Sequence, residues 1–247
     1  MPRLPRVVIP GCPHHITQRG NHKQTVFETD RDRLSYLEIL RSYCIQFRTR
    51  LAGYCLMTNH VHLIAIPERE DSLALAVGRT QRDYALWFQV RRQQNGHLWQ
   101  NRFYSCPLED DHLWEALRYV EVNPVRAALA AEAWDWPWSS ARAHVYGDDP
   151  MGLVDLSRWI RRYNAQTWRE ALREGVTAAA WRERFREATR AGRPFGSEHF
   201  TERLEAQTGR RLRAGRRGRK ALTASAGAGS AGARQKPEKG DLTPISG

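Results

Sequence analysis

Paired cysteines are missing from this sequence. Its four cysteines, at positions 12, 44, 55 and 106, are widely separated and form no CxxC motif. Such spacing argues against a disulfide framework and against a zinc site built from cysteine thiolates. We therefore interpret all four as reduced thiols that take no part in function.

Long apolar runs are also missing. No stretch approaches the roughly 20 apolar residues that a membrane-spanning helix needs. The first residues, MPRLPRVVIPGCPHH, contain no apolar core of the kind found in signal peptides, and the sequence has no tandem repeat. These absences argue against a membrane protein and predict a cytoplasmic one.

Acidic residues are scarce relative to basic ones. The 247 residues include 39 Lys and Arg but only 27 Asp and Glu, which gives a formal net charge of +12 and a pI near 10.1. A positive field of this size attracts polyanions, nucleic acid before anionic membranes. Hydrophobic residues make up 41% of the chain, enough for one sizeable core with appendages or for two small domains.

Apolar residues in the first 150 positions recur with the periods of alternating strands and helices. Leu113, Trp114, Leu117 and Val120, for example, form one stripe at helical spacing. The predicted elements are strands in HHITQRG (14–20) and TVFET (25–29), a helix capped by Asp30 and running to about Arg50, a strand over 52–66, a helix from Ser72 to about Arg92, one or two short strands in HLWQNRFYSCPL (97–108), and a helix from near Asp110. This order predicts an α+β fold, with a mainly antiparallel sheet and helices packed on it.

The composition changes after about residue 150. The stretch WREALREGVTAAAWRERFREATRAG, residues 168–192, is rich in Arg, Glu and Ala and has few large apolar residues. We interpret 151–207 as a small helical appendage to a folded domain over 1–150. Residues 208–247 begin with TGRRLRAGRRGRK, which has seven basic residues and no acidic one, and continue as a stretch rich in Gly, Ala and Ser. Such a composition cannot offset the entropy of ordering, so we predict a basic, largely disordered tail.

Two histidines interrupt the apolar run MTNHVHLI, residues 57–64. Alternate side chains of a strand share a face, so His60 and His62 project together while Val61 and Leu63 face the other way. Two imidazoles at this spacing can bind one metal ion, and histidine prefers borderline ions such as Mn, Zn or Ni over Mg. The alternative is a pair of hydrogen-bonded histidines without a metal.

A second motif, RYVEVNPVR at 118–126, places Tyr119 four residues before Asn123. On one helix that spacing puts both side chains on one face, at the edge of the apolar stripe. Such a helix, laid across the histidine face of the sheet, would bring both residues near the metal. Alternatively, Tyr119 is a boundary tyrosine with a solvated hydroxyl, and Asn123 is the N-cap of a new short helix with Pro124 in its first turn.

Together, YCLMTNHVHLI (54–64) and RYVEVNPVR resemble motifs of the REP-associated tyrosine transposases, within the HUH group of single-strand DNA transposases. HITQRGN (15–21), LWQNRFYS (98–105) and WPWSSARAH (136–144) also resemble that family, and the five motifs occur in its order. The resemblance covers about residues 1–150. One departure is Thr58, which stands where such proteins commonly have proline, and we expect the ligands to be unaffected.

The resemblance implies a ferredoxin-like α+β domain of the HUH type. It implies that His60 and His62 are metal ligands, that Asn123 is the third ligand and that Tyr119 is the nucleophile. It further implies a divalent cofactor, Mg²⁺ or Mn²⁺, and no requirement for ATP. The implied substrate is single-stranded DNA with imperfect palindromes or hairpins, such as repetitive extragenic palindromes. The implied reaction is cleavage and rejoining through a 5′-phosphotyrosine, as in DNA transposition.

Basic residues close to these motifs are candidates for DNA contacts. Arg19 and Lys23 flank the Gly-Asn turn after the first strand, Arg102 lies in QNRFYS, and Arg126 follows Asn123 by three residues. Each could bind a phosphate, and each could equally be a solvated surface charge. The basic start of the predicted tail would add affinity that is independent of sequence and sensitive to salt.

Two other functions stay open at this point. The chain could be a hairpin-binding regulator that has the fold but no catalysis, or a metal-dependent phosphodiesterase that acts through activated water. Relatives of the REP-associated type carry a complete site in one subunit, so we expect a monomer. A dimer would be required if a partner supplied Tyr119.

Overall fold

The computed structural model of the chain describes residues 6–93, 95–175 and 178–213. The described residues up to Arg213 belong to one compact unit. The disordered tail predicted over 208–247 lies outside the described residues from position 214 onward. Within the described part of the chain, none of the helices has the length and apolar character needed to cross a membrane.

Four antiparallel strands form one sheet in the order β2-β3-β1-β4. The strands are β1 (His14–Arg19), β2 (Thr49–Leu56), β3 (His60–Pro67) and β4 (Tyr104–Pro107), and the helices are α1 (Asp30–Gln46), α2 (Ser72–Arg92), α3 (Asp110–Glu121), α4 (Asn123–Arg126), α5 (Ala141–Tyr146), α6 (Ala165–Glu174), α7 (Ala179–Ala191) and α8 (Glu198–Thr208). The order βαββαβ with this strand arrangement is ferredoxin-like. The predicted α+β fold with an antiparallel central sheet is confirmed.

The sheet separates two apolar layers, as the alternation along β3 predicts. Val61 and Leu63 pack in one cluster with Leu37 of α1. Ile64 points to the opposite face and packs in a second cluster with Leu117 of α3. Because side chains alternate along a strand, His60 and His62 lie on the same face as Ile64, the face covered by α3.

The segment TVFET is not a strand, contrary to the prediction. The backbone N–H groups of Val26 and Phe27 both donate to the carbonyl oxygen of Thr58. Two successive donors that share one acceptor cannot form an antiparallel ladder, in which successive groups alternate in direction. The segment instead closes over the loop between β2 and β3, immediately before the histidine strand.

Helix α1 begins and ends differently from the prediction. Its cap is Thr29 rather than Asp30, because Thr29 and Asp32 exchange side chain to backbone hydrogen bonds in a capping box. The helix ends at Gln46 rather than near Arg50. Arg48 has a φ of 51°, a left-handed conformation that a right-handed helix does not contain.

The long strand predicted over 52–66 is two strands. Strand β2 ends at Leu56 and β3 begins at His60, with a tight turn between them in which the N–H of Met57 donates to the carbonyl of His60. Apolar residues on both sides of the turn conceal it in the sequence. His60 is therefore the first residue of β3, a central strand, and lies at the end of the sheet where the strand begins.

Helix α3 approaches strand β2 unusually closely at Gly53. A Cβ atom at this position would overlap Cδ1 of Leu117 and lie 2.8 Å from Oγ of Ser140. A residue without a side chain is therefore required where α3 crosses the strand. This close approach sets the height of α3 above the sheet, and Tyr119 is carried on α3.

The helices after residue 150 also pack on the sheet. Helix α7 contacts β4 and β1, and its Trp181 and Phe185 are buried in the same cluster as Leu117. Helix α7 thus covers the histidine face of the sheet beside α3. The predicted domain boundary between 1–150 and 151–207 stays a prediction.

Replacing Gly53 by Ala is expected to lower the free energy of unfolding by about 1–3 kcal/mol, because Leu117 and Ser140 must move to admit the new methyl group. Urea denaturation would measure it. Gly78→Ala in α2 is the matched control, since no atom lies within 4 Å of its added Cβ and alanine should stabilise a helix interior by about 0.5–1 kcal/mol. A Gly53→Ala protein as stable as the wild type would contradict the close approach.

Candidate functional site

A cavity of about 950 Å³ opens over the histidine face of the sheet. Its floor comes from the pairing of β1 with β3, where Thr17 lies opposite His62 and Arg19 opposite His60. Helices α3, α4 and α7 supply lining residues as well. The residues predicted from the sequence that line this cavity are His60, His62, Tyr119, Asn123, Arg19, Lys23 and Arg126. Seven candidates from three separate motifs therefore meet in one place.

Arg102 does not join them. It lines a different surface cavity, together with Arg6 and Phe103. The two cavities adjoin at Gln100, a residue of LWQNRFYS that lines both. A DNA contact by Arg102 stays a prediction, for a region outside this cavity.

Hydrogen bonds determine which nitrogen of His60 is free. Its Nδ1 lies 2.7 Å from Oδ1 of Asn59, and Nδ2 of Asn59 donates to the carbonyl of Lys23 at 3.1 Å. Because a carbonyl only accepts, this second bond orients the amide and makes Oδ1 the acceptor for His60. Nδ1 of His60 then carries the proton, and the lone pair is on Nε2.

His62 lies behind His60 and is fully buried. The centroids of the two rings are 5.0 Å apart, and Nδ1 of His62 is 2.9 Å from Nε2 of His15. Burial, followed by the charges of Arg19 and Arg126, lowers the pKa of His60 to about 4. Burial, followed by the neighbouring His60 and His15, lowers the pKa of His62 further below its ordinary value. Both imidazoles are therefore neutral at pH 7, the form that binds metals.

Tyr119 is packed edge-on against the histidines. Its side chain is 3% exposed, and its ring centroid is 5.8 Å from that of His62. The phenol oxygen accepts a hydrogen bond from Nε of Arg186 at 3.2 Å, and the guanidinium carbon of Arg126 lies 4.8 Å from the centre of the ring. Two cations therefore contact the side chain that the sequence predicts to be the nucleophile.

Asn123 is not on the tyrosine helix. Helix α3 ends at Glu121, and Asn123 begins α4 with Pro124 in its first turn. The alternative of a new short helix is therefore correct, but its N-cap is Val122 and not Asn123. The Asn123 side chain does not cap that helix. Its Nδ2 instead donates to the carbonyls of Tyr119 at 2.8 Å and Val120 at 3.3 Å. The amide nitrogen is thereby committed to the backbone, and Oδ1 is left to accept.

The donor set fits a divalent cation. Two neutral imidazole nitrogens and one amide oxygen face the same cavity, a combination suited to borderline ions such as Mn²⁺. Across residues 6–213 as described, no group of three or more His, Cys, Asp or Glu could hold a metal. A metal at this site would therefore depend on Asn123 and on oxygens from solvent or substrate.

The sequence profile of a family described as "Transposase IS200 like" matches residues 9–123, the stretch from the first strand to Asn123. This part of the chain is similar to that family. A putative REP-associated tyrosine transposase of Haemophilus influenzae (strain ATCC 51907 / DSM 11121 / KW20 / Rd) is 28% identical over 164 residues, which span 57% of this chain and 93% of that protein. These matches confirm the resemblance found in the motifs.

Two solved structures are similar to this chain. One is a REP-associated tyrosine transposase bound to a REP hairpin, with 19% identity, a TM-score of 0.49, and coverage of 64% of this chain and 96% of that one. The other is a putative transposase from Deinococcus radiodurans R1, with 18% identity, a TM-score of 0.35, and coverage of 48% and 95%.

A buried carboxylate anchors the C-terminal end of the tyrosine helix. Glu121 has no exposed surface and accepts hydrogen bonds from Oγ of Ser140, Nδ1 of His144 at 2.7 Å and Nε1 of Trp168 at 2.9 Å. Ser140 and His144 belong to the motif WPWSSARAH. The role of that motif in this protein is therefore to fix the helix end two residues beyond Tyr119.

The cavity wall is strongly basic. Arg186 and Arg190 of α7 join Arg19, Lys23 and Arg126 around it, and among the described lining residues none is acidic. Positive charge concentrated in a cleft attracts an anionic chain and raises its local concentration. The cavity is therefore suited to a phosphate backbone.

Sequence reasoning missed several residues that line the cavity. His15 could have been found, since His15, Thr17 and Arg19 alternate along a strand that pairs with the histidine strand. Arg186, Thr189 and Arg190 carry no recognisable motif. They line the cavity only because α7 packs on β1 and β4, which is not apparent from the sequence.

Replacing Glu121 by Gln is expected to lower the free energy of unfolding by about 2–3 kcal/mol, because an amide presents a donor to at least one of the three buried donors. Urea denaturation would measure it. Glu115→Gln is the control on the same helix, because Glu115 pairs at the surface with His112 and its loss should change stability by less than about 0.5 kcal/mol. Equal stability of the two variants would mean that Glu121 does not anchor α3.

Proposed function

We propose that this protein is a transposase that cleaves and rejoins single-stranded DNA at hairpin or palindromic elements, through a 5′-phosphotyrosine formed on Tyr119. One observation carries the proposal: the phenol of Tyr119 lies in a basic cavity with its ring 5.8 Å from that of His62. The hairpin substrate follows from the motif resemblance and from the REP-associated name of the curated relative. We assign this protein to the mobilisation of such DNA elements.

Nε2 of His60, Nε2 of His62 and Oδ1 of Asn123 would hold the divalent ion, Mn²⁺ or Mg²⁺. Such an ion, when bound, draws negative charge from the scissile phosphate. The imidazoles are neutral at pH 7 and so need not lose a proton to bind it. Their neutral state follows from the lowered pKa of each ring.

The chain itself would supply the nucleophile and two cations. The bond between the Tyr119 oxygen and phosphorus forms as the bond from phosphorus to the 3′ oxygen breaks. The phenol proton passes to solvent, and the departing 3′ oxygen takes up a proton. Arg186 stabilises the phenolate through the hydrogen bond it already makes, and Arg126 is placed to bind the phosphate. Attack by a 3′ hydroxyl on the phosphotyrosine then restores a phosphodiester and releases Tyr119. This step needs no ATP, because the phosphotyrosine ester retains the energy of the cleaved bond.

Basic residues of the cavity would hold the strand on either side of the scissile phosphate. Arg19 and Lys23 lie on the side of β1, and Arg190 lies on α7. Contacts of this kind bind phosphates irrespective of base and weaken with salt. Tyr119, His60 and His62 of a single chain line the same cavity, which supports a monomer as the working unit. A cytoplasmic location is part of the same proposal.

The decisive test uses Tyr119→Phe, which keeps the ring and removes only the nucleophilic oxygen. Single strands that carry imperfect palindromes, labelled at one end, would be incubated with Mn²⁺ or Mg²⁺ and analysed on denaturing protein gels. A 3′ label should migrate with the wild-type protein and a 5′ label should not, because the 5′ phosphate is the end that becomes linked. Tyr119→Phe should give no adduct, and removal of the metal by EDTA should abolish it in the wild type.

Tyr146→Phe is the control for loss of a tyrosine hydroxyl, since Tyr146 is exposed on α5 and should leave the adduct unchanged. An unaltered adduct in Tyr119→Phe would rule out Tyr119 as the nucleophile. Cleavage without any adduct would indicate a phosphodiesterase that uses activated water. Binding without cleavage, also retained after alanine replaces His60 and His62, would indicate the hairpin-binding regulator.

A further inference from the structure

A chain of buried hydrogen bonds runs from His62 through His15 to Thr189 of helix α7, along the lining of the cavity. Nδ1 of His62 is 2.9 Å from Nε2 of His15, and Nδ1 of His15 is 2.8 Å from Oγ1 of Thr189. The hydroxyl of Thr189 is in turn 2.9 Å from the carbonyl oxygen of Phe185. His15, His62 and Thr189 are all buried, so every polar atom of this chain depends on its neighbour for a partner.

The carbonyl of Phe185 determines the direction of the whole chain. A carbonyl oxygen can only accept, so the proton of Thr189 Oγ1 points to Phe185. Oγ1 must then accept from Nδ1–H of His15. Nε2 of His15 is left without a proton and must accept from Nδ1–H of His62. The lone pair of His62 therefore resides on Nε2, the ring nitrogen that makes no hydrogen bond within the described residues.

We infer that His15 and Thr189 are positioning residues that hold His62 as its Nδ1–H tautomer, with the Nε2 lone pair available to a divalent cation. The inference rests on the proposed function only in naming a metal as what that lone pair binds. His60 reaches the same tautomer by a separate route, through Asn59 and the carbonyl of Lys23. Both metal-binding histidines thus have their tautomer set by a main-chain carbonyl.

The opposite direction is disfavoured by the same geometry. If Thr189 donated to Nδ1 of His15, its oxygen would face the Phe185 carbonyl at 2.9 Å with no proton between them. His62 would then carry its proton on Nε2, where a metal could not bind. The thiol of Cys106 also interacts with Thr189, but sulfur is a weaker hydrogen-bonding partner than a carbonyl.

The inference extends the site beyond the part of the chain that matches the family. That match ends at residue 123, whereas Thr189 lies on α7. Partners that orient a metal-binding histidine commonly change metal affinity by about 10–100-fold when they are removed. The C-terminal helices would thus contribute to metal binding as well as to the fold.

The test compares Thr189→Val, which removes the hydroxyl and keeps the shape, with Thr189→Ser, which keeps the hydroxyl. Long-range ¹H–¹⁵N correlation spectra of the ¹⁵N-labelled, metal-free full chain report the tautomer of each histidine. The signals of His62 are assigned by their absence in His62→Ala. Mn²⁺ affinity is measured by calorimetry on the same proteins. Thr80→Val is the matched control, since Thr80 is buried in α2 and makes the same kind of bond to the carbonyl of Ala76.

We expect His62 to be Nδ1-protonated in the wild type, in Thr189→Ser and in Thr80→Val. In Thr189→Val the Nε2-protonated form should appear and the Mn²⁺ affinity should fall about tenfold or more. An Nε2-protonated His62 in the wild type would overturn the inference, and so would a Thr189→Val protein with the wild-type tautomer. A tautomer change in Thr189→Val, in a protein that binds no Mn²⁺ in any form, would support the positioning role while refuting the proposed metal site.

Discussion

Antiparallel pairing of β1 with β3 is the constraint on which the rest of the site depends. Its register sets Thr17 opposite His62 and Arg19 opposite His60. A slip of one residue would send the histidines to the face covered by α1 and α2, because the side-chain period of a strand is two. The pairing thus places His60, His62 and Arg19 in the lining of the cavity.

Two helices then cover that face from either side of Tyr119. Helix α3 is held close to the sheet by the absence of a side chain at Gly53 and by the buried carboxylate of Glu121. Helix α7 supplies Arg186, which donates to the phenol of Tyr119, and the aromatic ring of Phe185, 5.2 Å from that of Tyr119. A tyrosine enclosed in this way has little freedom, and catalysis by phosphoryl transfer depends mainly on positioning and electrostatics.

The electrostatic character of the cavity follows from the same packing. Burial disfavours charge on the imidazoles, and the nearby arginines disfavour it further, so the pKa of both His60 and His62 is lowered. The arginines keep their charge because guanidinium is a far stronger base. The site thus combines neutral imidazoles, the form that can bind a metal, with positively charged groups that suit phosphate, on adjacent side chains.

Local patterns in the sequence determined a large part of this protein. Alternation along 60–66 predicted which face carries the histidines, and the apolar stripe of α3 predicted which side of that helix is buried. The bounds of α2, from Ser72 to Arg92, were predicted correctly. The turn between Leu56 and His60 was missed because its polar residues, Thr58 and Asn59, stand between two apolar runs and include neither Gly nor Pro. The early end of α1 was missed because Arg48, a residue with no turn preference, takes a positive φ.

The tertiary structure alone decided which distant residues complete the site. Whether Tyr119 reaches His62 depends on the height of α3 above the sheet, and no local pattern encodes a distance between elements. Arg186 and Thr189 reach the cavity because α7 packs against β1 and β4. In the sequence these two residues lie about 125 positions after His62. Short-range periodicity specifies the face of an element, whereas contacts between elements arise from the packing of the whole core.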